Sequence, residues 1–166
     1  MSKSQGHLDG MKVRGFFRVQ LTEDGKGVIG DSGWKENQVT NDGIRQFIVG
    51  WLVSGTGKSV THMALGTGSA PASNATSLNG ELTGSAGAGR QAVSTSVVAS
   101  GTAQFTAGFA SANSFVIQTE AISNIGLFNT STEGAGTLFA GNTFASSNCA
   151  TNQSVNATYQ IRFASA

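Results

Sequence analysis

The segment Gly55-Thr56-Gly57-Lys58-Ser59 is the part of the chain most like a phosphate-binding loop. A P-loop has another glycine five residues before the one that precedes its lysine, and the loop follows a strand. Leu52 occupies that position, within a stretch whose apolar spacing is helical. The Gly/Ala-rich stretch 84–89 has no helical pattern after it, so it offers no helix N-terminus to a phosphate. Neither segment predicts nucleotide binding.

His7, His62 and Cys149 are the only histidines and the only cysteine. A zinc site takes three or four such ligands at short spacings, and a serine hydrolase elbow needs a GxSxG segment that this chain lacks. Cys149 has no partner for an intrachain disulfide and is predicted to be a small buried residue. We therefore predict no catalytic, metal-binding or cofactor-binding residue.

Three isolated glutamates, Glu81, Glu120 and Glu133, are the acids that follow Lys58 in the chain. Sugar hydrolysis by paired carboxylates would use these or the acids of the first third. Spacing along the sequence does not determine whether any two of them meet. The prediction is a non-enzymatic protein, with a polysaccharide-degrading enzyme as an alternative.

Charge is scarce and unevenly distributed. Charged residues make up 11% of the 166 residues, against ~25% in an average domain. Fourteen of the 19 lie at or before Lys58, and the formal net charge is only +1. Because nucleic-acid binding needs clustered Lys and Arg, a nucleic-acid partner is not expected. No apolar run reaches ~18 residues and the N-terminus lacks a signal-peptide pattern, so we expect no membrane partner and synthesis in the cytoplasm.

The first third is predicted to contain an arm, a hairpin and a helix. Residues 1–10 are polar and read as a flexible arm. Val13 to Leu21 alternates as a strand, Glu23 to Lys26 forms a turn, and Val28 to Val39 returns as a second strand. Helical spacing predicts a helix over 42–53, capped by Thr40, Asn41 or Asp42 and ended by Gly55. We expect its apolar stripe to be buried on a sheet; the stripe is Ile44, Phe47, Ile48, Trp51 and Leu52.

The rest of the chain reads as short strands separated by Gly/Ser/Asn turns. The clearest runs from Val155 to Phe163, where apolar residues alternate strictly with polar ones. About eight strands and one helix favour an all-β fold over a parallel α/β sheet. We predict a single domain over 11–166, an antiparallel β-sandwich of the jelly-roll type with one helix packed on it. Its edges lack the charged residues and proline that usually prevent pairing with other chains, so we expect other copies of this chain to cover them.

Four segments together resemble a known class of protein: WKENQVTNDGI at 34–44, ALGTGSAP at 64–71, EAISNIGLFN at 120–129 and GTLFAGNTF at 136–144. Their order over residues 30–163 resembles virion structural proteins of tailed bacteriophages, most of all head decoration or cement proteins. Related patterns are also similar to tail, fibre and baseplate components. The chain has no long coiled or repetitive shaft, which favours the head surface over a fibre.

The resemblance implies a protein on the head exterior that binds the major capsid protein, associates with itself as a homotrimer and stabilises the shell. The alternative partners are a tail protein or a host-surface glycan. We predict the shell contacts in the charged first third, at Lys3, Lys12, Glu23, Asp24, Lys26 and Trp34. These charges could also be only a solvated face, and Trp34 could instead cap the core. Contacts between copies are predicted on the strands after residue 90.

Overall fold

The computed structural model describes residues 10–85 and 87–165. Ten strands and one helix account for most of them. The strands are β1 (Met11–Glu23), β2 (Gly27–Asp31), β3 (Lys35–Val39), β4 (His62–Gly66), β5 (Arg90–Ala92), β6 (Ser94–Ala99), β7 (Thr102–Phe109), β8 (Glu120–Phe128), β9 (Leu138–Cys149) and β10 (Gln153–Ser165). Helix α1 covers 41–54, between β3 and β4. The predicted flexible arm lies outside the described residues except for Gly10.

Every strand pairing is antiparallel, in the order β5-β4-β8-β9-β3-β1-β10-β7-β6, with β2 also paired to β1. Side chains from both ends of this order enter one core, for example Phe17 and Tyr159 from one end and Ile125 and Phe139 from the other. The sheet therefore folds over into two layers. The predicted all-β, antiparallel, sandwich-like fold with one helix is confirmed.

Strands β1 and β10 form the longest pairing, from Met11 opposite Ser165 to Glu23 opposite Gln153. Their inward residues are those that the alternating pattern predicts, and the rings of Phe17 and Tyr159 stack with centroids 5.8 Å apart. The predicted turn is also present, since the Lys26 amide donates to the Glu23 carbonyl at 3.0 Å. Both strands follow a period of two because one face of each meets the core.

Strand β3 joins the two layers. It pairs with β1 through Lys35–Asn37 and with β9 through Gln38–Val39. The predicted continuous strand 28–39 is therefore wrong. A turn at 32–34 splits it into β2 and β3, because both segments pair along the same side of β1 at different registers.

Helix α1 begins and ends as predicted, but its predicted buried stripe is wrong. Thr40 Oγ1 accepts from the Gly43 amide at 2.8 Å, and Gly55 ends the helix in the left-handed region with φ 64°. Of the five stripe residues only Phe47 is buried, and Leu52 is 79% exposed. The middle turn, Ile44–Val49, is a π-helix. Its wider i→i+5 turns move residues three and four apart off a common face, so the α-helical spacing fails as a guide to burial.

Candidate interaction surfaces

The outer face of β1 and β10 carries a cluster that we call the cationic patch: Lys12, Arg14, Phe16 and Arg162. Alternate β1 residues turn into the core, so these even-numbered ones face outward. The pairing places Arg14 directly opposite Arg162. The guanidinium carbon of Arg162 lies 4.4 Å from the centroid of the Phe16 ring. With Ala164, the patch lines an open depression of about 360 Å³.

The cationic patch concentrates positive charge without internal neutralisation among the described residues. Ion pairs form at Arg18–Asp31, Lys26–Glu23, Arg45–Asp42 and Arg90–Glu81, and none of them includes a patch residue. The nearest acid by register is Glu36, opposite Phe16 on β3. Like charges directly opposite each other in a sheet repel, so an anion bound between Arg14 and Arg162 would relieve that repulsion. Guanidinium groups bind carboxylates in two-point geometry, which suits an acidic protein surface.

An uncharged polar surface continues from the cationic patch across β10 and β7. Gln160 joins the two, since its Oε1 accepts from Arg162 Nη2 at 2.7 Å and its Nε2 donates to Gln104 Oε1 at 2.8 Å. Beyond them the outward residues are Asn, Thr and Ser, including Asn156, Thr158 and Thr106. This face carries an open depression of about 370 Å³ over Thr106, Asn156 and Thr158, and it offers area for a broad partner.

The structure does not bring the sequence-predicted contact residues together. Lys12 lies in the cationic patch, whereas Glu23, Asp24 and Lys26 form the hairpin tip at the other end of β1. At ~3.3 Å per residue in a strand, the eleven steps from Lys12 to Glu23 span about 36 Å. Half-exposed Trp34 lies between the two, next to the residue that pairs with Phe17. Lys3 lies outside the described residues.

The hairpin charges are largely occupied by one another. Lys26 Nζ lies 2.7 Å from Glu23 Oε1, and Gln153 Nε2 donates to Glu23 Oε2 at 3.1 Å. The hydrogen bond from Lys26, followed by that from Gln153, holds the pKa of Glu23 below its ordinary value. Asp24 is exposed. The cationic patch is therefore the better candidate for binding an outside partner, and of its four residues only Lys12 was singled out from the sequence.

In the charge-poor part of the chain, a buried ion pair links Arg90 to Glu81. Arg90 Nη2 donates to Glu81 Oε2 at 2.9 Å, and Arg90 Nη1 donates to the carbonyls of Thr130 and Ala135 at 3.1 and 2.9 Å. The Arg90 guanidinium also lies 3.7 Å from the Phe128 ring centroid. One side chain thus ties together the loop between β4 and β5 and the loop between β8 and β9. Sequence reasoning missed it because the members are nine or more residues apart and follow no periodic pattern.

The three glutamates considered for sugar hydrolysis are each engaged by a neighbouring group. Glu81 and Glu120 both line an open depression of about 270 Å³, but both oxygens of Glu81 are engaged by Arg90. Glu120 accepts from Gln118 Nε2 at 3.0 Å, and Glu133 accepts from the Gly89 amide at 3.2 Å. These contacts fix loops and neighbouring side chains in place.

The other residues singled out for chemistry are also held within the fold. Lys58 follows α1 in a loop and donates to Thr137 Oγ1 at 2.6 Å. Burial lowers the pKa of His62, with a smaller effect from the positive charge of Arg90. Burial raises the pKa of the Cys149 thiol to about 11. Within residues 10–85 and 87–165, no three His, Cys, Asp or Glu residues form a group able to hold a metal ion.

The second candidate surface is the free side of β6, which closes one end of the strand order. All six of its residues, Ser-Thr-Ser-Val-Val-Ala, are exposed. Thr95 and Val97 pair with Phe105 and Ala103 of β7, whose side chains line an apolar depression of about 190 Å³ beside Trp51 of α1. Trp51, Leu52 and Val53 are 51%, 79% and 80% exposed. Apolar surface therefore lies beside the free, uncharged edge of β6.

Comparison with protein-family models found no match, and searches of curated proteins and of solved structures found no significant match either. Within the part of the chain that the structure describes, no helix has the length and apolar character to cross a membrane. The cationic patch and the free side of β6 are therefore the features from which a function can be proposed.

Proposed function

We propose that this chain is a non-enzymatic structural protein of a tailed-bacteriophage virion, a decoration or cement protein that binds the outside of the assembled head. The observation that carries the proposal is the cationic patch beside a flat polar sheet face. Such a surface fits a broad protein partner with exposed carboxylates better than it fits a small substrate, because small-molecule sites are concave and mostly apolar. The partner is the major capsid protein.

The stabilising effect follows from linkage. A protein that binds only the assembled shell shifts the equilibrium toward that state by RT ln(1 + [L]/Kd). Copies that are joined to one another bind several shell subunits at once, so the effective local concentration of each site rises without tighter individual contacts. Self-association is therefore part of the proposed mechanism.

The test mixes purified protein with expanded heads of the encoding phage that lack it. We expect saturable binding and a higher temperature of shell opening. Because the patch acts through exposed charge, binding should weaken as ionic strength rises. Absence of binding to heads, with binding to isolated tails or to host cells instead, would overturn the head assignment and favour the tail or glycan alternative.

The contact residues are tested by reversing charge in the cationic patch. The double variant Arg14→Glu, Arg162→Glu should lose at least tenfold in affinity for the heads, while Lys35→Glu, an exposed reversal outside the patch, should retain it. Both proteins should give the same far-UV circular dichroism as the parent. Equal affinity for all three would place the shell contacts elsewhere.

A further inference from the structure

We propose that β6 is the surface through which two copies of this chain associate, by antiparallel pairing of β6 with the β6 of a second copy. The inference assigns a surface to the self-association in the proposed function and in that part rests on it. The pairing would continue the sheet from β7 through β6 into the second molecule. Main-chain hydrogen bonds would supply much of the attraction, as in other cases of strand addition.

The free side of β6 lacks the usual protection of an edge strand. Natural edges carry lysine, proline or inward-pointing charge, or they are covered. β6 has none of these residues, and its one irregularity is a register shift between Val97 and Ala99 at its end. Over Ser94–Val97 the strand is regular, uncharged and open to solvent.

A second copy of β6 is the best-matched occupant among the described edges. β5, at the opposite end of the strand order, has three residues, of which Arg90 is buried in the ion pair with Glu81. β2 contains two glycines and Asp31, whose carboxylate is bound to Arg18. Since β6 carries no charge, two copies meet without repulsion, and a Ser/Thr/Val strand pairs well with itself.

The apolar surface beside β6 supplies the rest of the interface. Val97 is 83% exposed and faces the same side of the sheet as Ala103, next to the depression at Trp51. Val97 and Trp51, which are 83% and 51% exposed, add apolar area to the strand contact on this side of the sheet, toward the ~800 Å² per partner of a standard interface. Pairing at β6 would bring the same surface from the second copy alongside.

The symmetry of this contact is a prediction in itself. Antiparallel pairing of identical strands is isologous and closes as a two-fold dimer. It therefore differs from the homotrimer that the resemblance implies. Measuring the mass of the purified protein by light scattering decides between them: a dimer of the 16.9 kDa chain is expected, and a monomer or a trimer at high micromolar concentration would overturn the proposal.

A lysine on the edge should prevent the pairing, because strand addition would then desolvate a charge. Val97→Lys should weaken dimerisation at least tenfold. Val28→Lys is the matched control, since Val28 is 55% exposed on the other long free edge, β2. At a concentration low enough for the parent to be monomeric, both variants should unfold in urea as the parent does. Equal dimerisation by the two variants would overturn the proposal even if the parent is a dimer.

Cysteine cross-linking locates the two-fold axis. The single native thiol, Cys149, is buried, so it gives little background. At the axis a residue faces its own copy, with Cβ atoms ~4.5–5.5 Å apart, within reach of a disulfide after slight adjustment. Either Ser96→Cys or Thr95→Cys should form a dimer on mild oxidation, whereas Ala112→Cys, in an exposed turn, should not. Cross-linking of neither β6 variant would contradict the pairing.

These measurements use the protein alone and do not depend on head binding. A dimer that fails to bind heads would leave the β6 inference intact and remove the proposed function. Head binding by a protein that stays monomeric would support the proposed head binding and overturn the β6 inference.

Discussion

The charged first third and the charge-poor remainder use their charges in opposite ways. In residues 10–58 the ion pairs are exposed on strand and helix surfaces, as at Arg18–Asp31 and Arg45–Asp42. Among the described residues of the remainder, the ion pair is the buried one between Arg90 and Glu81, and the side chain of Arg90 is 0% exposed. The comparison shows that the number of charges in a region does not indicate how much the fold depends on them. Exposed pairs contribute little, whereas a buried pair is costly to break.

The largest expected effect is at the buried pair. Arg90→Met should lower the free energy of unfolding by about 3–5 kcal/mol, because it leaves Glu81 and two loop carbonyls without their partner. Urea denaturation measures the loss. The matched change in the first third, Arg18→Met, should cost only a small fraction of this. Equal losses would remove the contrast between the regions.

The second largest effect is expected in the first third, at a glycine that packs closely against a neighbouring side chain. A methyl group added at Gly15 would lie 1.5 Å from Asn37 Oδ1, where β1 meets β3. Gly15→Ala should therefore cost about 1–3 kcal/mol in urea denaturation, typical of overpacking. In an Asn37→Ala background the same change should cost less, although Tyr159 Oη then loses its hydrogen bond from Asn37. An unchanged cost in both backgrounds would show that the strain arises elsewhere.

The alkaline limit of stability should be set by the charge-poor region. Burial raises the pKa of Cys149 from its ordinary 9.0 to about 11. Between these values the unfolded chain has lost the thiol proton and the folded protein retains it, so stability falls as pH rises. Cys149→Ala should flatten this decline. Burial also raises the pKa of Tyr159, which is present in both proteins, so the difference between their stability profiles from pH 8 to 10 reports the Cys149 thiol.

The smallest effect is expected at acid pH and arises in the first third. Hydrogen bonds from Arg18 and then from the Gly33 amide hold the pKa of Asp31 well below its ordinary value. The stabilisation is complete above the ordinary value of 3.8 and is lost as pH falls through the lower folded-state pKa. Asp31→Asn should therefore lose stability above pH 4 and show a shallower acid decline. Asp24→Asn, at the exposed hairpin tip, is the matched control and should unfold in urea at pH 7 as the parent does.

Local patterns account for most of the correct predictions. Alternation identified β10 and β1, and the Glu23–Lys26 turn lies between strands where its residues predict it. Thr40 and Gly55 bounded the helix. The helix face was predicted wrongly because a π-turn is not visible in apolar spacing. Residues 28–39 were predicted as one strand because the break between β2 and β3 arises from their pairing with β1, which the local sequence does not show. Of the five contact residues proposed from sequence that the structure describes, Lys12 alone lies in the cationic patch.

The sequence by itself determined the fold class, the helix ends and the charge asymmetry, because strand alternation, capping and composition are properties of near neighbours in the chain. The tertiary structure alone decided which charges meet and which strand is left unpaired. Arg14 and Arg162 are 148 positions apart and face each other only through the β1–β10 register. Likewise, β6 (Ser94–Ala99) has a free edge because β7 pairs with one of its sides and no described strand pairs with the other. Both surfaces depend on pairings between residues far apart in sequence, and local pattern carries no information about those pairings.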